Sequence, residues 1–138
     1  MHSAVIVDAV RTPAGKNGGK LKDWHPAALG AHVLQALATR NAIDLETIDD
    51  VIFGCVSQAG EQSVNVARNV VSSSKLPERV PATSVDRQCG SAQQALHFAA
   101  QAVMSGTMDV IIAGGVESMS RVPMGLPAIL AEKNGFGN

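Results

Sequence analysis

Apolar positions along this chain alternate between strand-like runs and helical spacing. Val5 to Val10 is nearly all apolar, as in a strand buried on both faces. The loop Arg11-Thr12-Pro13-Ala14-Gly15-Lys16-Asn17-Gly18-Gly19 follows, rich in Gly and polar residues. Pro26 stands where a first helical residue would. Leu29, Val33, Ala36 and Leu37 then recur at helical spacing, with Asn41 as the stop. Asp44 to Ile48 adds one helical turn, and Val51-Ile52-Phe53 reads as a second strand ended by Gly54. Ser63 is placed to cap a short helix whose apolar face is Val64, Ala67 and Val71. Pro77 and Pro81 bracket a loop before a third strand, Ala82 to Val85. A third helix opens at Cys89 or Gly90, runs through Leu96, Ala99, Ala100 and Val103, and ends at Gly106. Val110 to Ala113 is a fourth strand, closed by Gly114-Gly115. After Met119 the pattern dissolves into Pro, Gly and Met.

Strands alternating with helices predict an α/β fold with a doubly wound, mostly parallel sheet. Ligands meet such sheets at the carboxyl ends of the strands. Cys89 falls there, beyond the third strand and at the start of the third helix. That helix carries Ala92, Ala95, Ala99, Ala100 and Ala102, small on several faces, and is expected to lie buried between two layers.

Composition narrows the function classes. With 138 residues, 46% hydrophobic and 17% charged, the chain suits one soluble globular domain. The net charge is −1, the four His are scattered, and aromatics are only 3%, so neither a basic patch nor a stacking platform points to nucleic acid. The longest apolar runs, such as Val110 to Ala113, are far below membrane-span length. Met1 to Val7 enters the strand pattern without a basic leader, so no targeting segment is expected. The two Cys, Cys55 and Cys89, are far apart and form no metal spacing. No disulfide and no metal are expected, and a cytoplasmic setting is.

Cys89 is the candidate nucleophile by position, and the alternative on this signal alone is a small buried structural thiol. A thiol at a helix N-terminus sees unpaired N–H groups and the positive end of the dipole, worth at most ~2 kcal/mol in favour of thiolate. That does not provide a base on demand, so a partner His is needed to activate the thiol and return protons. The Cys89 N–H itself is placed to donate to an oxyanion. A lone Cys is more often a small buried hydrophobe, which is the reading for Cys55. His97 is expected as a core or pocket-edge residue, while His2, His25 and His32 belong to no constellation. Glu117, a lone carboxylate, gives little support for acid/base work. Gly114-Gly115 is too short to cradle a phosphate. Lys16, Lys20 and Lys22 read as a solvated loop, and Met119 and Met124 as pocket lining or core filling.

At these residues the chain resembles the thiolases, the acetyl-CoA acetyltransferase and 3-ketoacyl-CoA thiolase group. The resemblance runs from Val5 to about Met124. It rests on Arg11-Thr12-Pro13 with Gly15; Gly54-Cys55-Val56, Gly60-Glu61-Gln62 and Asn65-Val66-Ala67-Arg68; Gln88-Cys89-Gly90-Ser91; and Gly114-Gly115-Val116-Glu117-Ser118-Met119-Ser120, in that order. The resemblance implies a layered α/β/α fold whose nucleophile helix is covered by a second, similar half. It implies that Cys89 takes an acyl group from a thioester and passes it to coenzyme A or to the carbanion of a second acyl-CoA. For Glu117, whose segment matches a family motif, it implies a loop-positioning role. Coenzyme A thioesters are then substrates, with no bound cofactor. Partners would be acyl-CoA, coenzyme A, and further copies of the chain or a complementary carboxy-terminal half, with the third strand near a dimer interface. No nucleic-acid or membrane partner is implied.

Thiolases are considerably longer than this chain. Their second half supplies an activating His, a second Cys in a Cys-x-Gly motif and an Asn-Glu segment, none of which occurs here. Residues 1–119 therefore read as a thiolase-like amino-terminal α/β domain and 120–138 as the truncated start of an inserted loop region, before an expected fifth strand. Asn138 reads as mid-loop. The run Gly60 to Ser63 and the pair Gln93-Gln94 suggest fatty-acid or lipid degradation, with bulky lipid or steroid side chains as substrates. The chain alone is expected to be inactive, to expose apolar surface and to self-associate. Alternatives are a ketosynthase-type condensing-enzyme fragment, against which the Gly114 to Ser120 motif argues, and a non-catalytic truncated or partner-binding module.

Overall fold

A computed structural model describes residues 3–137. The expectations for His2 and for Asn138 as a mid-loop end lie outside the described residues. Helix α1 spans Pro26–Asn41, strand β1 Asp50–Gly54, helix α2 Val66–Ser72, strand β2 Ala82–Val85, helix α3 Ser91–Ser105, strand β3 Ile111–Gly115 and helix α4 Leu126–Lys133. Short 3-10 turns occupy Leu45–Thr47 and Gly60–Gln62.

The strands form a parallel sheet in the order β2-β1-β3. Val51 pairs with Ala82 and Gly54 with Val85 on one side; Asp50 pairs with Ile111 and Gly54 with Gly115 on the other. Side chains of β1 alternate between faces, as the strand period requires. Val51, Phe53 and Cys55 join Ala31 and Leu34 of α1 and Val66, Ala67, Val70 and Val71 of α2 in the main core. Ile52 faces the other way, onto Ala95 and Ala99 of α3. Helices thus cover both faces, giving the doubly wound α/β arrangement expected. The Asp49 carboxylate accepts from the N–H groups of Asp109 (2.7 Å) and Val110 (3.0 Å), tying the start of β3 to that of β1. Those two bonds hold its pKa below the ordinary value, that of Val110 most strongly.

The α1 and α3 boundaries agree with the sequence. His25 caps α1 through Nδ1, which accepts from Ala27 N at 3.2 Å, Pro26 opens the first turn, and Ala42 in the left-handed region ends it. Gly106 ends α3 in the same way, with φ +76°. The buried stripe of α1 is Ala27, Ala31, Leu34 and Ala38, and Leu29, Val33 and Leu37 flank it beside a cleft.

Four expectations need correction. Val5 to Val10 is not in the sheet: Val5, Ile6 and Val7 are 79%, 71% and 76% exposed. A strand needs a hydrogen-bonded neighbour, and the edge of β3 facing away from β1 pairs with no strand among the described residues. Instead a cleft of about 720 Å³ lies between Ile6, Val10 and Pro13 on one side and Ile112, Gly114 and Val116 on the other. The first segment is tied to α1 by the Asp8 carboxylate, which accepts from Asn41 Nδ2 at 2.9 Å and pairs with Arg40 at 3.3 Å.

Second, Ser63 does not cap α2. Val64 and Asn65 both have positive φ (+55° and +58°), so the chain turns once more and Asn65 becomes the cap, its Oδ1 accepting from Arg68 N. Val64 therefore points to solvent instead of joining the apolar face. Third, α3 is buried on its sheet face alone; Leu96, Phe98 and Met104 are exposed, because no second layer covers them among the described residues. Fourth, α4 appears where the pattern dissolved. Pro127 sits in its first turn, where proline is tolerated, and the helix buries no residue, so no amphipathic stripe announces it.

No helix among the described residues is long and apolar enough to cross a membrane.

The contrast between core and first segment is testable by urea denaturation of this chain. Leu34→Ala, at a site only 2% exposed, is expected to cost about 2–5 kcal/mol. Val7→Ala is expected to stay within about 0.5 kcal/mol of the parent, which a sheet-buried Val7 would not allow.

Candidate active site

The carboxyl ends of β1, β2 and β3 lie side by side, and the loops leaving them form the candidate site. Leaving β2, Asp86 to Gly90 make a tight turn into α3. Cys89 lies in that turn, exposed to solvent, immediately before the helix cap Gly90. Backbone bonds Gly90 N→Arg87 O (3.1 Å) and Ser91 N→Gln88 O (3.0 Å) close the turn, and Gln94 N→Gly90 O (2.9 Å) starts the helix. Gln88, just before the cysteine, has φ +49°, the left-handed region that a residue with a Cβ enters only at a cost.

The start of α3 is fixed by two glycines. A Cβ on Gly54 would stand 2.2 Å from Ala92 N and 2.3 Å from the carbonyl carbon of Ser91. A Cβ on Gly115 would meet the Ala92 Cβ at 2.8 Å and Gly54 O at 3.0 Å. The ends of two neighbouring strands thus accept the first turn of α3 against bare backbone, which brings the cysteine turn to the sheet's carboxyl edge.

The loops after β1 and β3 are joined by polar side chains. Glu117 accepts from Val56 N (2.7 Å), Ser57 N (3.2 Å) and Gln62 Nε2 (2.9 Å). Gln62 is fully buried; it also donates to Ser57 O (2.9 Å) and accepts from Ser118 N (2.6 Å), so its amide is satisfied at both ends. Glu117 is therefore a loop-positioning residue, as expected. The role of Gln62 was not legible, because nothing in a short polar run marks which amide will be buried.

Cys55, at the end of β1, is 1% exposed. Burial pushes its thiol up to about 12, and the nearby charges of Glu117 and Asp86 add to the shift. It is the inert structural cysteine expected. His97 is corrected from a core or pocket-edge place to an exposed one on the outer side of α3. His25 caps α1 and lies 3.9 Å from Glu61, and His32 packs tilted against Trp24, with ring centroids 5.6 Å apart. Lys16, Lys20 and Lys22 are exposed, Met119 borders the cleft, and Met124 is open to solvent rather than in a core. Among the described residues no three His, Cys, Asp or Glu side chains come together as metal ligands.

Gly54→Ala forces a methyl into the α3 backbone and is expected to destabilise the chain by at least about 3 kcal/mol in denaturant titration. A thiol reagent added to the native chain should label Cys89 alone, with Cys55 reacting only after unfolding. Because the folded Cys55 value lies above its ordinary 9.0, its contribution to stability is complete below pH 9 and shrinks as pH rises from about 9 towards about 12. A Cys55 labelled as fast as Cys89 at neutral pH would contradict this placement.

The family described as Thiolase, N-terminal domain, matches residues 4–136. A steroid 3-ketoacyl-CoA thiolase of Mycobacterium tuberculosis is 50% identical over 136 residues, covering 99% of this chain and 33% of that protein. A 3-ketoacyl-CoA thiolase of Pectobacterium carotovorum is 50% identical over 126 residues, covering 90% of this chain and 33% of that protein. The crystal structure of the Bacillus anthracis acetyl-CoA acetyltransferase superposes with a TM-score of 0.84 at 38% identity, covering 89% of this chain and 31% of that one. The chain spans about a third of the length of the curated relatives it matches. With this ladder of parallel strands, this turn into α3 and these matches, the chain belongs to the thiolase family, whose amino-terminal domain it carries.

Proposed function

We propose that Cys89 is the acyl-accepting nucleophile of a 3-ketoacyl-CoA thiolase, and that this chain acts with a carboxy-terminal half. The observation that carries the reading is the placement of an exposed thiol between the end of β2 and the cap of α3, while the other cysteine is buried and protonated. The Cys89 thiolate attacks the 3-keto carbon of the substrate, and cleavage of the α–β carbon bond leaves the acyl group on sulfur as a thioester. The departing acetyl-CoA carbanion takes up a proton. The thiol of coenzyme A then gives its proton to the base that had protonated the carbanion and attacks the acyl-enzyme, releasing the shortened acyl-CoA and the Cys89 thiolate. The Cys89 N–H is offered as a donor to the oxyanion.

The base is none of the three described histidines in this reading. His25 and His32 are engaged elsewhere and His97 stands on the outer side of α3. The open face of α3 and the unpaired edge of β3 support a complementary half, which would cover the one and complete the sheet at the other. In the same reading residues 1–119 are the catalytic domain piece and 120–138 the start of an inserted loop region. Further copies of this chain are the alternative cover for the exposed apolar residues of α3. Both cysteines being free thiols suits the cytoplasm. The names of the two 3-ketoacyl-CoA thiolase relatives, one a steroid enzyme, support degradation of lipid acyl chains, bulky ones included.

The test is coexpression of this chain with the carboxy-terminal part of the Mycobacterium tuberculosis relative that it does not cover. Thiolysis of acetoacetyl-CoA is then followed by mass spectrometry. Activity is expected from the pair and from neither part alone, falling at least about a thousandfold in Cys89→Ala. An active Cys89→Ala pair would remove Cys89 from the nucleophile role.

A further inference from the structure

We infer that Ser91 is the positioning residue for Cys89, acting through its side-chain hydroxyl; the inference rests on the proposed nucleophile role of Cys89. Ser91 is only 4% exposed, yet its side chain does not face the apolar contacts of α3. Its Oγ accepts from Arg87 N at 2.8 Å and donates to Gln88 O at 2.5 Å. One buried hydroxyl thereby grips the backbone on both sides of the Arg87–Gln88 link. Gln94, one helical turn on and 9% exposed, accepts from the Arg87 guanidinium through Oε1, so a second buried polar group of α3 holds the same residue. From the other side, Asp86 Oδ1 accepts from Gln88 N at 2.8 Å.

These bonds converge on a residue in an unfavourable conformation. Gln88 sits at φ +49°, and a left-handed non-glycine residue persists only where its surroundings over-determine it. Cys89 is the next residue. Its backbone runs from the Gln88 carbonyl, bound by Ser91 through both N–H and Oγ, to the Gly90 N–H, bound by Arg87 O. With both flanking groups pinned, the direction of the Cys89 Cα–Cβ bond is set by the clamp and not by contacts of the exposed thiol. Ser91 itself is pinned, since its carbonyl carbon lies only 2.3 Å from the place a Cβ of Gly54 would take. The clamp thus transmits the position of the sheet to the thiol.

Valine and threonine have the same shape and differ in the hydroxyl, which makes them the discriminating pair. In this chain the rate of Cys89 alkylation by iodoacetamide is measured by mass spectrometry, with labelling of Cys55 as the internal report on folding. Ser91→Thr is expected to keep the parent rate within about twofold, while Ser91→Val slows it at least about fivefold, as the unsupported left-handed residue relaxes and the thiol leaves its set direction. In urea all chains should alkylate alike, showing that the difference is conformational. Equal native rates for Ser91→Val and Ser91→Thr would overturn the inference. So would prompt labelling of Cys55 in Ser91→Val, because Ser91 would then be needed for folding and not for the turn. These readouts do not depend on thiolysis: an active Cys89→Ala pair would sink the nucleophile reading and leave the measured clamp standing.

Discussion

The closest constraint in this molecule is the absence of side chains where α3 meets the sheet. Gly54 and Gly115 are paired across β1 and β3, and both lie directly under the first turn of α3. Any Cβ at Gly54 would overlap backbone, which cannot rotate aside as a side chain can. The helix can therefore begin at one height above the sheet only. The turn before it, with Cys89, inherits that height. A residue whose own side chain is exposed is placed accurately because the backbone beneath it has no slack.

Around that contact the polar groups of the loops are accounted for. The β1 and β3 loops share Glu117 and Gln62, and the β2 loop is held by Asp86, Ser91 and Gln94. Among the described residues every buried side-chain N or O has a hydrogen-bond partner. This matters at a strand's carboxyl end, where the ladder stops and loop N–H groups lose their regular partners. A carboxylate such as Glu117 can take several of them at once, being an acceptor only. Loop rigidity here comes from side chains reading backbone rather than from apolar packing, while the apolar core lies on the α1 and α2 side.

The open surfaces have one physical origin. The apolar side chains of Val5 to Val7, of Leu96, Phe98 and Met104, and the bare edge of β3 all lack a neighbour among the described residues. Each is a surface that the hydrophobic effect or backbone pairing favours covering. Their coexistence with a satisfied loop network separates the polar loops, which this stretch completes by itself, from the apolar faces, which stay open among the described residues.

The sequence by itself determined the elements whose signals are local. Pro26 and Gly106 set helix ends, the runs at Val51 and Ala82 set strands, and the strand–Cys89–helix order set the candidate nucleophile at a carboxyl edge. The family motifs agree with the fold and the relatives found. Only tertiary structure decided the rest, because it depends on neighbours distant in sequence. Val5 to Val10 has a strand's composition but no strand beside it, and composition cannot supply a hydrogen-bond partner. Val64 is apolar yet turned outward by two left-handed residues, and α4 forms without a buried face. The roles of Gln62 and Ser91 came from burial, which periodicity does not report for single polar residues. A local pattern fixes what a segment can become; the layer it meets fixes which of its atoms are needed.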